Sequence, residues 1–197
     1  MTSGPSEPAR AQRDSVGEGL RLTISPAVVF GAHGRNEPVE QLLLRSFQVV
    51  RQSLTRLSEE RVQIIDITEE VRDRVLGAAL DEGIVLVNSR HNTCGLFINE
   101  FQGALVEGLQ AVLEELVPEN GSYRHNDPRY SDSERGNASA HLRASLLSHG
   151  VAVGISDGMV SLGRFQAILL AELDGPQTRE IDLTMIGGLV APLPLPR

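Results

Sequence analysis

Three histidines, His91, His125 and His141, stand in separate stretches of the chain, and Asp127 lies two residues beyond His125. Residues spread this way form a site only if folding gathers them. Three protein ligands with a fourth position left for water define a catalytic metal centre, and an extended chain would put Asp127 on the same side as His125. His91, His125, Asp127 and His141 are therefore candidate ligands for a divalent ion, zinc or magnesium. The spacing matches no compact metal motif, so the same imidazoles read equally well as hydrogen-bonded acid and base without a metal.

Two carboxylates, Glu100 and Glu172, lie in or beside apolar runs, where each could transfer a proton or hold a cation. An Asn99–Glu100 pair at a helix start is also an ordinary cap with its first-turn acid, and Glu172 could equally be a strand-end charge. All 18 basic residues are arginine. Without a lysine there is no Schiff base to a carbonyl substrate or to pyridoxal phosphate, and no Walker-type phosphate loop. Anions fall to Arg90, Arg124, Arg143 and Arg164, whose guanidinium groups bind phosphate oxygens in pairs. Arg164 is the favoured phosphate contact, with Gln166 beside it to orient a ring or a phosphate. Cys94, three residues after His91, invites a thiolate reading, but a free cysteine is more often a small buried apolar residue. His33 and His149 read as surface or packing residues.

The elements that must position these groups follow from periodicity. Residues 1–20 carry no apolar pattern and read as a disordered arm; 21–41 read as an accessory edge strand broken by Pro26, then a loop. Strands are expected at 42–50 and 61–67. A helix over about 68–81 has Thr68 as its cap, Glu69 and Glu70 in its first turn and Gly83 after its end. IVLVNS at 84–89 is a strand that delivers Arg90 and His91. Asn99 caps a second helix, whose Leu105, Leu109, Val112, Leu113 and Leu116 should lie on the sheet before Pro118 ends it. Residues 119–136 are polar and rich in Tyr, His, Asn, Asp and Arg, the composition of a functional loop. A third helix is capped by Asn137 and carries His141. Strands at 151–155, 159–171 with a break near Gly163, and 179–186 close the chain. The sum is an α+β fold, sandwich-like and mostly antiparallel, with two or three helices on one side. The domain proper spans 42–190, with a tail at 191–197.

The 197 residues suit one domain with extensions, and 41% apolar content fills an ordinary core. No run approaches a membrane span and no apolar leader opens the chain, so a soluble cytoplasmic protein is expected. One cysteine fits that reducing compartment. A formal charge of −8 without a basic stripe excludes nucleic acid as a partner. A small-molecule substrate remains, and the arginines suit a phosphorylated one.

Four stretches, HNTCGLFINE at 91–100, VPENGSYRHNDP at 117–128, RGNASAHLRASLL at 135–147 and LGRFQAILLAELDGP at 162–176, together resemble the YjbQ-type secondary thiamine-phosphate synthase family over about 45–188. The resemblance implies a homotrimer with sites near subunit boundaries. It also implies an activity joining the pyrimidine and thiazole halves of thiamine phosphate, with neither nicotinamide nor flavin. His91, Glu100, His125 and His141 then become the catalytic candidates, and Asn99, Asn137, Arg164, Gln166, Cys94 and Phe101 the substrate contacts. Asn92, Cys94, Gly95, Phe101, His149, Gly154 and Phe165 depart from the family pattern. Those departures predict a pocket altered near Cys94, Gly95 and Phe101, taking a larger or more apolar group, with thiamine-phosphate synthesis weak or absent. A cyclase, lyase or isomerase of specialised metabolism on the same scaffold, or a non-catalytic trimeric binder of metal or ligand, would use the same polar residues.

Overall fold

In the computed structural model, residues 43–44, 47–132 and 134–191 are described. The expected arm and accessory strand over 1–41 and most of the tail lie outside them. Ten strands follow in chain order: β1 (Leu43–Leu44), β2 (Gln48–Leu57), β3 (Gln63–Asp66), β4 (Glu82–Ser89), β5 (Cys94–Asn99), β6 (Gly150–Ser156), β7 (Met159–Val160), β8 (Ala167–Glu172), β9 (Thr178–Gly188) and β10 (Val190–Ala191). The helices are α1 (Thr68–Gly77), α2 (Gly103–Leu116) and α3 (Ala138–Leu146), with one 3-10 turn at Arg124–Asn126.

A five-stranded sheet runs β2-β9-β4-β6-β7, a three-stranded sheet runs β3-β8-β5, and β1 pairs with β10. Every described pairing is antiparallel. The two larger sheets face each other across the main core, where Val85, Val87, Ile181, Leu183 and Met185 of one meet Leu96, Ile168 and Leu170 of the other. Each such side chain contributes roughly 1.5–3 kcal/mol on burial.

Strand β8 is buried from end to end, because its other face, Ala167, Leu169 and Ala171, meets a second core under α2 and α3. A strand covered on both sides must be continuously apolar, and the small alanines let the helices approach. Thus α2 and α3 share one side as expected, whereas α1 does not: its Val71 and Val75 plug the core between the sheets. No helix among the described residues is long and apolar enough to cross a membrane.

Several boundaries differ from expectation. Helix α1 stops at Gly77, and the left-handed residue after it is Ala79, at φ 52°. Gly83 instead lies within β4, where a Cβ would meet the Ile186 carbonyl oxygen at 2.3 Å. Thr68 is the first helical residue; Asp66 accepts from its N–H, and the Thr68 hydroxyl accepts from the Ile168 N–H. For α2 the cap is Gln102, whose side chain accepts from Leu105 N–H, not Asn99. Leu109 and Leu113 pack on the sheet, while Leu105, Val112 and Leu116 stay exposed. Strand β2 runs on to Leu57, well past the expected end at residue 50, as the edge partner of β9.

Candidate functional site

The polar loop after α2 folds back on itself. Tyr123 donates from its hydroxyl to the Pro118 carbonyl oxygen at 2.8 Å. Its ring lies over Gly121, where a Cβ would come within 2.4 Å and push the ring aside. Tyr123 thereby leads into the 3-10 turn, closed by Asn126 N–H on the Tyr123 carbonyl. That turn presents His125 toward α3, whose first turns carry His141. The two imidazoles meet edge-on, with centroids 5.0 Å apart and planes at 82°.

An open cavity of about 460 Å³ is lined by Ser122, Tyr123, Arg124, His125, Ala138, His141 and Leu142. Partial burial pushes the His141 imidazole below its ordinary range, and the facing His125 adds to this, against an opposing pull from Asp174. His141 is accordingly held toward the neutral form, a base or hydrogen-bond acceptor near neutral pH. The guanidinium of Arg124 sits 5.1 Å from the centroid of the Tyr130 ring, at the same cavity. Polar groups converging on a half-open apolar hollow are the ordinary form of a small-molecule site.

The other candidates are dispersed. His91 accepts from the backbone N–H of Glu180 through Nε2 at 3.3 Å, alongside β9. Asp127 is bonded to Arg129, whose Nε donates to both of its oxygens at 3.0 Å, and this holds its carboxyl below the usual range. Among the described residues no three of His, Cys, Asp and Glu come together as metal ligands would. Of the four expected ligands, only His125 and His141 are in contact.

Asn99 and Glu100 border a separate crevice of about 10 Å³, room for no more than a water. Phe101 is exposed before α2. Arg164 stacks on its own neighbour Phe165 at 5.2 Å, and Gln166 closes its own turn by accepting from Gly163 N–H at 2.8 Å. Neither lines the cavity. Asn137 is buried, donating to Asp174 at 2.8 Å. Of the four arginines read as anion contacts, Arg124 alone lines the cavity. Arg90 pairs with Asp182, and Arg143 is buried against Val117 O, Glu114 and Glu119.

Cys94 lies in the core, its sulfur 3.0 Å from Ser89 Oγ. Burial pushes its thiol pKa up, only partly offset by Ser89. Gly95 is equally enclosed, where a Cβ would meet Leu147 at 2.8 Å. The expected remodelling of the pocket at Cys94, Gly95 and Phe101 therefore falls outside the cavity. Glu172 does not line the cavity either: fully buried, it is gripped by Arg179 through two 2.6 Å bonds and by Ser58 at 3.2 Å.

Comparison with known proteins agrees with this fold. The family model described as "UPF0047 protein YjbQ-like" matches residues 52–188. A UPF0047 protein of Methanothermobacter thermautotrophicus is 38% identical over 140 residues, 71% of this chain and 94% of that protein. One from Archaeoglobus fulgidus is 41% identical over 128 residues, 65% and 94% of the two chains. Among solved structures, a YbjQ-like protein of unknown function from Sulfolobus solfataricus P2 superposes with a TM-score of 0.67 at 27% identity, covering 72% of this chain and 99% of its own. An uncharacterised YjbQ/UPF0047 protein from Clostridium acetobutylicum does so at 0.62 and 27%, covering 68% and 98%. On the matched core, the shared sheets and the share of each relative covered, this chain belongs to the UPF0047 (YjbQ-like) family.

Proposed function

We propose that the cavity between the 122–125 segment and α3 is the working site of an enzyme acting on a small phosphorylated substrate, with His125 and His141 as its hydrogen-bonding imidazole pair and Arg124 as its anion contact. The observation that carries this reading is the edge-on meeting of two imidazoles in the lining of an open cavity. Two such groups whose environments differ can divide donor and acceptor roles.

The family resemblance suggests the transformation. In it, the thiazole nitrogen of a thiazole phosphate forms a C–N bond to the methylene carbon of a pyrimidine-methyl diphosphate. The C–O bond to diphosphate breaks, diphosphate leaves with the electron pair, and nothing is oxidised or reduced. Little covalent chemistry is asked of the protein. Arg124 would fork onto the diphosphate oxygens and imidazole N–H groups would donate to them, stabilising charge as it develops. His125 and His141 amount to two ligands, and Asp127 is committed to Arg129. The candidate metal set does not fit an ion within one chain.

A homotrimer belongs to the same proposal. On the outer face of the five-stranded sheet, Val49, Ile186 and Ile84 are register partners in one row, with Leu86 two residues on, and Val49, Ile84 and Leu86 are exposed. An apolar row on an open sheet face suits burial against another copy. Light scattering should give three times the chain mass, and Ile84→Asp should dissociate the assembly.

The test of function is release of diphosphate when the protein is mixed with the two phosphorylated halves. His125→Ala, His141→Ala and Arg124→Ala should each suppress it by about 10²-fold or more. Undiminished release by all three variants would place the chemistry elsewhere.

A further inference from the structure

We infer that Asn126 is a positioning residue, which holds His125 and His141 in their facing arrangement by tying the 3-10 turn to the start of α3. The inference rests on reading the cavity as the working site. His125 and Asn126 are adjacent in the turn, and Asn126 Oδ1 accepts from the backbone N–H of Ala138 at 2.9 Å, twelve residues away. Ala138 is the first residue of α3, so that N–H is one of the donors a helix cannot satisfy within itself.

The residue placed to cap α3 is Asn137, and its side chain makes no capping bond. It is drawn off instead to Asp174, a buried carboxylate two residues past the end of β8, through a 2.8 Å bond from Nδ2. Exchanging the amide's oxygen and nitrogen would set oxygen against carboxylate oxygen, so the nitrogen must face Asp174. With Asn137 so committed, the free donor of the helix is met from the 3-10 turn by Asn126.

The two bonds act in different directions. Asp174 and Asn137 fasten the start of α3 to the sheet, and the Asn137 carbonyl accepts from His141 N–H at 3.3 Å, one turn on. Asn126 fastens the turn carrying His125 to that anchored helix. Rings that meet at 5.0 Å therefore hang from two backbones that the Asn126 side chain joins next to His125. Misplacement of about 1 Å is enough to damage a site built on orientation.

The experiment uses the full chain with selectively 13C-labelled histidine and observes the nuclear Overhauser cross-peak between the ring protons of His125 and His141. The wild type should show it. Asn126→Ala should lose it while remaining folded by thermal melting, and Asn126→Asp, whose carboxylate can accept the same N–H, should restore it. If Asn126→Ala melts below the measuring temperature, Asn126→Gln replaces it, carrying the acceptor one methylene too far. A cross-peak of undiminished intensity in the folded Ala or Gln variant overturns the proposal, as does an Asp variant that folds without recovering it. No substrate enters the measurement, so a wrong assignment of the reaction would leave this result standing.

Discussion

Two polar clusters in this protein differ in almost every physical respect. The first, around Glu172, is sealed between the sheets, and its donors and acceptors are matched: Arg179 and Ser58 donate to the carboxylate, and so do the N–H groups of Leu173 and Asp174. Arg179 donates on to Thr93 at 2.9 Å. The second, around His125 and His141, opens to solvent, and its members face each other without forming an ion pair. Matched and sealed groups stabilise one arrangement; half-open groups keep faces free to bond a ligand. The sequence offers Glu172 and His141 as similar candidates, and only their surroundings separate them.

Breaking the sealed cluster should have the largest effect on stability. Arg179→Ala strands a buried carboxylate and should cost about 3–5 kcal/mol, read as a lower urea midpoint. A loss below about 1 kcal/mol would mean the pair is not the structural unit described. At the open cluster the balance should invert. His125→Ala and His141→Ala should each remove roughly 10²–10⁴-fold of activity while stability moves by no more than about 0.5 kcal/mol. Large destabilisation with activity intact would show those histidines to be architectural.

Cys94→Ala probes the thiol beside the sealed cluster. The thiol is wholly enclosed, so the change should cost about 1 kcal/mol from lost packing and leave turnover unchanged; inactivation of a stable variant would restore the nucleophile reading. The smallest effect concerns pH. Because the His141 pKa is depressed in the folded state relative to its ordinary 6.5, the unfolded chain binds more protons below that value. Stability should therefore decline as pH falls from about 6.5 toward the depressed folded pKa, and stay level above. His141→Gln should flatten that slope in melts recorded across the window.

Elements whose causes are local were legible in the sequence. Glu69 and Glu70 before Val71 and Val75 announced α1, and the apolar run after Gly163 announced a strand, but that β8 is covered on both faces comes only from the packing of the second core. Strand β2 was harder: beyond Val50 only Leu54 turns into the core, and its period-two signal is one residue deep. At the site, the motifs named His125 and His141, but residue types alone do not say that Asp127 turns to Arg129 two residues on, or that Gln166 folds back on Gly163, rather than facing a ligand. Asn126 went unnoticed for a related reason, since its partner Ala138 contributes only a backbone N–H and leaves no trace in composition. Glu172, Arg179, Ser58 and Thr93 come from four separate segments, and their pairing is a product of sheet register.

The account's central claim is that the anion site lies at Arg124 and the paired histidines, not at Arg164 and Gln166. Calorimetric titration of the full-length protein with inorganic diphosphate tests it most directly. The wild type should bind, Arg124→Ala and His125→Ala should each weaken binding about tenfold or more, and Arg164→Ala should match the wild type. Binding abolished by Arg164→Ala and untouched by Arg124→Ala would contradict the claim.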